Sequence, residues 1–198
     1  MENRKAKTAI ITRILGLELV MFQSVPSFQR AACQDQPDTF KLHRRAQFTA
    51  WSLTTLHSYM NDLENARTCG INLMTEKYAR MDDLIPARNT NPLIHSILSQ
   101  QCAWQKEMIA QYPHLMSSGR PLHHTKGEET MTSFETYLRG ELETYSEKTL
   151  EALHSDIQDK RKRGINMAEE IYTTLVKELG YDSLREAEEN IASGNINT

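Results

Sequence analysis

An internal repeat is the feature of this sequence that most restricts its fold. Residues 40–81 align with residues 134–175 without a gap, at a constant offset of 94. Twelve of the 42 aligned pairs are identical, whereas average composition gives about two or three by chance. The clearest part is a Gly-Ile-Asn corner, which stands at 70–72 and again at 164–166. The repeat predicts two copies of a long-helix/short-helix hairpin, folded together as a pseudo-two-fold bundle.

Apolar residues recur at helical rather than strand spacing, so the expected fold class is all-α. Gly70 and Gly164 are expected to end the long helices, and Asn72 and Asn166 to cap the short ones. We expect one helical domain, 1–198, with six or seven helices. The predicted helices cover about 7–23, 39–68, 72–81, 91–111, 132–163, 166–179 and a short last segment after a capping box at Ser183.

Composition excludes several classes of protein. The 198 residues carry a formal net charge of −3, which provides no strong field for nucleic acid or anionic lipid. Three widely spaced cysteines favour reduced thiols over a disulfide framework or a zinc site. The apolar stretch 10–22 is too short and too polar to span a bilayer. Because Arg13 and Glu18 interrupt it, we do not expect it to be a signal peptide. We therefore expect a cytoplasmic protein that binds neither nucleic acid nor membrane.

Some of the identical pairs in the repeat are polar and are harder to explain by core packing. Arg45 and Arg139 each share a helical face with apolar residues. A charge that points partly into a bundle needs a partner. The candidate partners are Glu76, Glu170 and Glu141. Two interpretations stay open: structural Arg–Glu bridges that tie the hairpins together, or an Arg-lined cavity that binds a carboxylate or a phosphate.

Glu18 lies in a stretch that is apolar on nearly every side. It is either paired with an arginine, turned to solvent, or used as a general acid or base. A di-metal centre in a bundle needs a Glu-x-x-His motif on each of two helices; this chain has one, Glu151 to His154. Cys33 is expected to be an ordinary packed cysteine. No common nucleotide, hydrolase or metalloprotease motif occurs, so we predict neither a cofactor nor a metal.

Several runs of the sequence together point to one protein family. They include Cys33-Gln34, Thr39-Phe40, Arg45, Gln47-Phe48, Trp51, residues 76–81, the run Phe-Glu-Thr-Tyr-Leu-Arg-Gly-Glu-Leu at 134–142, Thr144-Tyr145-Ser146, Leu179-Gly180-Tyr181 and Ser183-Leu184. With these runs the chain resembles, from about residue 10 to 190, the bacterial family catalogued as domain of unknown function 4125. Residues 88–95 and 119–129 depart from the family pattern. The family has no assigned activity, so the resemblance implies only that the Arg, Gln and Glu positions of the long helices deserve the closest inspection.

We expect a small-molecule-binding protein, and more specifically an enzyme acting on a small anionic, amino-acid-like substrate between the long helices. The candidate catalytic residues are Glu18 and Glu141. The candidate substrate-binding residues are Arg45, Arg139, Gln47, Trp51 and Tyr145. Two alternatives stay open: a non-catalytic protein that forms a homodimer or docks a partner, and a metal-dependent, di-iron-like oxygenase. An open cavity around the Arg and Glu side chains favours binding, and a closed network favours assembly.

Overall fold

The computed structural model describes residues 2–26, 36–124 and 132–194, and these residues form ten α-helices and no strand. The predicted all-α class is confirmed for this part of the chain. The helices are α1 (Glu2–Gln23), α2 (Pro37–Thr49), α3 (Leu53–Thr68), α4 (Leu73–Met81), α5 (Leu93–Gln111), α6 (Pro113–Met116), α7 (Phe134–Leu142), α8 (Glu147–Lys162), α9 (Met167–Glu178) and α10 (Leu184–Ala192). No helix within the described ranges has both the length and the hydropathy needed to cross a membrane.

The two long helices predicted at 39–68 and 132–163 are each divided in the structure. Ser52 separates α2 from α3, and its side chain accepts a hydrogen bond from the amide three residues further on. Ser146 does the same between α7 and α8. Both serines have an extended backbone, so each ends the preceding helical path and caps a new helix. These two breaks, with the short α6, explain why the described chain has ten helices instead of six or seven.

The Gly-Ile-Asn corners have the conformations that the sequence predicts. Gly70 and Gly164 have φ values of 68° and 67°, in the left-handed region that favours glycine. Asn72 and Asn166 cap α4 and α9, and each side-chain oxygen accepts from two amides of the first turn. Their side-chain nitrogens donate to main-chain carbonyls of α1 and α5, respectively. Each corner is therefore fastened to a neighbouring helix.

The two halves of the chain pack in matching ways around α3 and α8. The α1 helix contacts α2, α3 and α4, and α5 contacts α7, α8 and α9. Between the halves, α2 packs on α9 and α4 packs on α7. The start of α3 lies against the middle of α8, and the start of α8 lies against the middle of α3. These two helices therefore run antiparallel. These matched contacts agree with the repeat, while a two-fold relation of the whole bundle stays a prediction.

Aromatic side chains occupy the centre of the core. Phe48, Trp51, Tyr59 and Tyr145 are at most 2% exposed. The ring centroids of the contacting pairs lie between 4.9 and 6.1 Å apart, in tilted and edge-to-face arrangements. The two tyrosines place their hydroxyl groups beside buried carboxylates, so the aromatic core adjoins a polar cluster.

Candidate functional site

Glu18 lies on the core side of α1 and is completely buried. Arg44 of α2 donates to both carboxylate oxygens, with its Nε 2.8 Å from Oε2 and its Nη2 bonded to Oε1. The Tyr59 hydroxyl, from α3, donates to Oε1 at 2.6 Å. Glu18 is therefore paired with an arginine, as one of the sequence interpretations expects, and the arginine is Arg44.

Glu141 on α7 is the second buried carboxylate. Arg44 Nη1 donates to its Oε1 at 2.8 Å, and Lys77 Nζ, from α4, donates to its Oε2 at 2.6 Å. The Tyr145 hydroxyl donates to Oε1 at 2.5 Å. Arg44 thus bridges both carboxylates and brings α1, α2 and α7 to one point. We use the term buried charge network for the set Glu18, Arg44, Tyr59, Lys77, Glu141 and Tyr145.

Gln47 lies at the edge of the buried charge network. Its Oε1 accepts from Arg44 Nη1 at 2.7 Å, and its Nε2 donates to Glu141 Oε1 at 3.3 Å. Trp51 packs beside the network, with its ring centroid 5.7 and 6.1 Å from those of Tyr59 and Tyr145. Five predicted site residues therefore lie together in the structure. They are Glu18, Gln47, Trp51, Glu141 and Tyr145.

The network is closed and its charges balance. Two carboxylates face two cations, and all four side chains are at most 6% exposed. Burial alone raises the pKa of Glu141, but Arg44 and Lys77 outweigh burial and hold the pKa of this carboxyl well below its usual range. Burial raises the pKa of Tyr59 and of Tyr145, so both stay protonated and donate to the carboxylates. This arrangement maintains Glu141 as an anion and suits an ion pair better than a proton donor.

The two repeated arginines lie outside the buried charge network. The Arg45 side chain is 47% exposed and donates to a glutamate of α9 at 3.2 Å. The Arg139 side chain is 43% exposed and bonds Glu135, one turn earlier in α7, at 3.1 Å. The other candidate partners, Glu76 and Glu170, pair with different cations. The prediction that the repeated arginines point partly into the bundle is therefore wrong, because these positions of α2 and α7 face outward.

Arg44, Lys77 and Tyr59 belong to the network and were not among the predicted site residues. Identical pairs in the repeat do not reveal the two cations, because Leu138 and Ile171 stand at the positions equivalent to Arg44 and Lys77. The available signal was the apolar setting of α1, since a carboxylate buried there requires a cation from another helix.

A second candidate site is an open cleft of about 770 Å³ where α1, the α2–α3 turn and the α8–α9 corner meet. We use the term Lys7 cleft for this space. The charged residues that line it are Lys7, Asp156, Asp159, Lys160, Arg163, Glu169 and Glu170. The cleft is concave, as ligand sites are, but its lining is more highly charged than that of most ligand sites, which are mainly apolar.

Lys7 differs from the other cations of this cleft in its partners. Lys160 pairs with a glutamate of α9, and Arg163 pairs with Asp159 at 3.1 Å. Lys7 has no carboxylate within ion-pair distance in the described part of the chain; its Nζ donates to the main-chain carbonyl of Thr49, the last residue of α2, at 2.8 Å. The Lys7 ammonium therefore has unused donors beside an open space.

The pKa of Lys7 reflects its half-buried position beside a second lysine. Burial lowers the pKa of Lys7, and the ammonium of Lys160 lowers it further. Asp156 and Glu170 act in the opposite direction without reversing the shift. An anion from outside the chain would relieve the repulsion between the two lysines.

The equivalent position in the other half of the bundle has a smaller cleft, of about 410 Å³. Several of its lining residues are the repeat counterparts of residues in the Lys7 cleft, including Asp62 for Asp156 and Ser146 for Ser52. Among the described residues that line it, the single Lys or Arg is Arg88, which pairs with a glutamate of α4. A lysine without a carboxylate partner is thus a feature of the Lys7 cleft and not of its counterpart.

Within 2–26, 36–124 and 132–194, no three His, Cys, Asp or Glu side chains form a group that could hold a metal ion. His154, from the Glu-x-x-His motif, instead has its Nε2 3.2 Å from Ser96 Oγ and 3.3 Å from Gln158 Nε2. Cys33 lies outside the described residues. The di-iron alternative therefore has no ligand set in this part of the chain.

Comparison with known proteins bears on the family and not on the activity. The chain matches no curated protein and no solved structure. A family model described as a protein of unknown function (DUF4125) matches residues 8–189 of the 198. The resemblance carried by the run 134–142 and its companion motifs is thereby confirmed. The chain belongs to the DUF4125 family of proteins of unknown function.

Proposed function

We propose that the protein binds a small anionic molecule, such as a carboxylate or a phosphate, in the Lys7 cleft. The observation that carries the proposal is the half-buried Lys7 ammonium, which lines an open cleft and has no carboxylate partner within the described residues. A partly desolvated cation gains most from an anion that accepts charge-assisted hydrogen bonds. A ligand carboxylate or phosphate supplies such acceptors.

The carboxylates that line the cleft support an amino-acid-like ligand. Lys7 is complementary to the carboxylate of such a ligand, and Glu169 is complementary to its ammonium group. Comparing acetate with glycine as binding probes isolates the contribution of the ammonium.

The buried charge network has a different role in this proposal, as a scaffold. Every carboxylate oxygen of Glu18 and Glu141 already accepts at least one hydrogen bond from the protein. That closure supports a structural role, because a substrate would have to displace buried and bonded partners. Catalysis by Glu18 and Glu141, and substrate binding by Arg45 and Arg139, remain predictions.

Isothermal titration calorimetry with acetate, glycine and inorganic phosphate tests the proposal. We expect Lys7→Met to weaken the tightest of these probes at least about tenfold, since a hydrogen bond to a charged group contributes about 1.5–3 kcal/mol. Lys148→Met is the matched control: it removes the same charge from an exposed position about 18 Å along α8 from Lys160. The proposal is overturned if no probe binds the wild type, or if Lys7→Met binds each probe as tightly as the wild type does.

Lys7 could instead have a purely structural role, and the experiment must distinguish that role from anion binding. Its bond to Thr49 satisfies one of the last carbonyls of α2, as cations at helix ends commonly do. Lys7→Arg retains the positive charge and the donors. If Lys7 serves only α2, thermal melting will show a loss for Lys7→Met while the affinity for the probes stays unchanged.

A further inference from the structure

The Lys7 amine lies at the wall of an open cleft and is bonded to the protein by one hydrogen bond. Its Nζ is fixed by the hydrogen bond to the Thr49 carbonyl at 2.8 Å. When the amine is neutral, that bond uses one N–H and leaves the second N–H and the lone pair for a molecule in the cleft. A free lone pair beside a binding space is what a nucleophilic amine requires.

Lys7 also lacks the partner that keeps other buried lysines inert. Lys77 donates to Glu141 at 2.6 Å, and Lys160 pairs with Glu170. A carboxylate bonded to the ammonium stabilises the protonated, non-nucleophilic form. Lys7 has no such bond within the described chain, and its Nζ donates to a neutral carbonyl instead.

The charged groups that act on Lys7 across the cleft come from α8 and α9. Burial lowers the pKa of Lys7 and Lys160 lowers it further, while Asp156 and Glu170 partly oppose both effects. A second cation beside a desolvated lysine increases the fraction of free amine at neutral pH. The electrostatics thus act in the same direction as the geometry.

We propose that Lys7 forms an imine with a small oxo acid, a molecule that carries both an anionic group and an aldehyde or ketone. This inference rests on the proposed function, because the anionic group is what brings the carbonyl carbon to Nζ. The lone pair of Nζ attacks that carbon, and the carbonyl oxygen then leaves as water with the two protons of the amine. No oxidant or reductant takes part. The imine formed in this way is neutral, and uptake of one proton from solvent gives it a positive charge next to the carboxylate of the bound molecule.

Reductive trapping tests the inference. The wild-type protein is incubated with glyoxylate and sodium cyanoborohydride at neutral pH, and the labelled lysines are located by peptide mass spectrometry. We expect Lys7 to be labelled at least about tenfold faster than Lys148, because the anion site holds the carbonyl carbon of the probe beside Nζ. Formaldehyde, which has no anionic group, is the matched probe and should show a smaller preference for Lys7.

The variants separate failure of this inference from failure of the proposed function. Lys7→Arg should still bind acetate but should show no glyoxylate adduct at this position. If acetate binding depends on the charge at position 7 while Lys7 is labelled no faster than Lys148, the imine is refuted and the binding site stands. If the affinity for acetate does not depend on the charge at position 7, the binding proposal is refuted. Fast labelling of Lys7 by formaldehyde would then show a reactive amine that has no anion site beside it.

Discussion

Asp62 of α3 and Asp156 of α8 cap each other's helices. The Asp62 Oδ2 accepts from the Ser146 amide at 3.0 Å and from the Thr149 hydroxyl at 2.6 Å, at the start of α8. Asp156 repeats both bonds at the start of α3, at 2.8 and 2.7 Å. The pair thus links the two central antiparallel helices at both ends.

We expect Asp62→Ala and Asp156→Ala to destabilise the protein by similar amounts. Each change leaves a backbone amide and a hydroxyl without their acceptor, which costs about 1–3 kcal/mol. Urea unfolding followed by circular dichroism measures the loss. Asp159→Ala controls for helix propensity, because Asp159 is an exposed residue of α8 and its removal should stay within about 0.5 kcal/mol. A large loss at only one of the two capping positions would show that the halves are not equivalent in energy.

Breaking the buried charge network should cost more than removing a cap. In Glu141→Gln the neutral side chain leaves the buried Lys77 without a carboxylate partner and Arg44 with Glu18 alone. Removing one partner of a buried ion pair costs about 3–5 kcal/mol. Chemical unfolding gives the difference, with Glu151→Gln as the exposed control on α8. A loss no greater than that of the control would mean that the network contributes little to stability.

The same variant gives a prediction for pH. The folded pKa of Glu141 lies below its unfolded value, so the folded state binds fewer protons at acid pH and the stabilisation is present above the unfolded value. The difference in unfolding free energy between wild type and Glu141→Gln should be constant near neutrality. It should shrink progressively once the pH falls below about 4.3, the ordinary value for glutamate. A difference that stays constant down to pH 3 would contradict the assigned shift.

Gly140 permits the close approach of α7 to α4. A Cβ at this position would lie 2.9 Å from the Met81 Cγ and 3.0 Å from the Lys77 carbonyl oxygen. Because the carbonyl belongs to the backbone of α4, Gly140→Ala should destabilise the protein by about 1–3 kcal/mol. Gly16→Ala is the matched helical control, since nothing lies within 4 Å of its Cβ and the change should stabilise α1 by about 0.5–1 kcal/mol. Melting temperatures that move in the same direction for both variants would refute this account of Gly140.

The sequence predicts the fold well where local chemistry decides it. The repeat and the corners at Gly70 and Gly164 place the short helices α4 and α9 correctly. The serines at 52 and 146 were harder to recognise as caps, because apolar spacing continues on both sides of each break. A serine can cap a helix or lie within one, so its role as a cap is recognised only from the backbone conformation.

The candidate site was predictable in part. The apolar surroundings of Glu18 make pairing with an arginine one of its expected states, and the structure pairs it with Arg44. The repeat points to Arg45, whereas Arg44 makes the contact, because one residue along a helix changes the direction of the side chain by about 100°. Lys7 gave no sequence signal, because its position depends on the fold bringing α1 against the end of α2 and the α8–α9 corner. Assembly as a homodimer, one of the alternatives that the sequence leaves open, stays an alternative to be measured in solution.

The most direct test of the binding proposal follows Lys7 itself. Reductive methylation with ¹³C-formaldehyde gives each lysine an NMR signal and preserves its charge, and Lys7→Arg identifies the signal of Lys7. On addition of acetate or inorganic phosphate, the proposal predicts a saturable shift of the Lys7 signal and a rise in its pKa, because a bound anion stabilises the ammonium. A Lys7 signal that responds to both anions no more than the signal of Lys148 would contradict it.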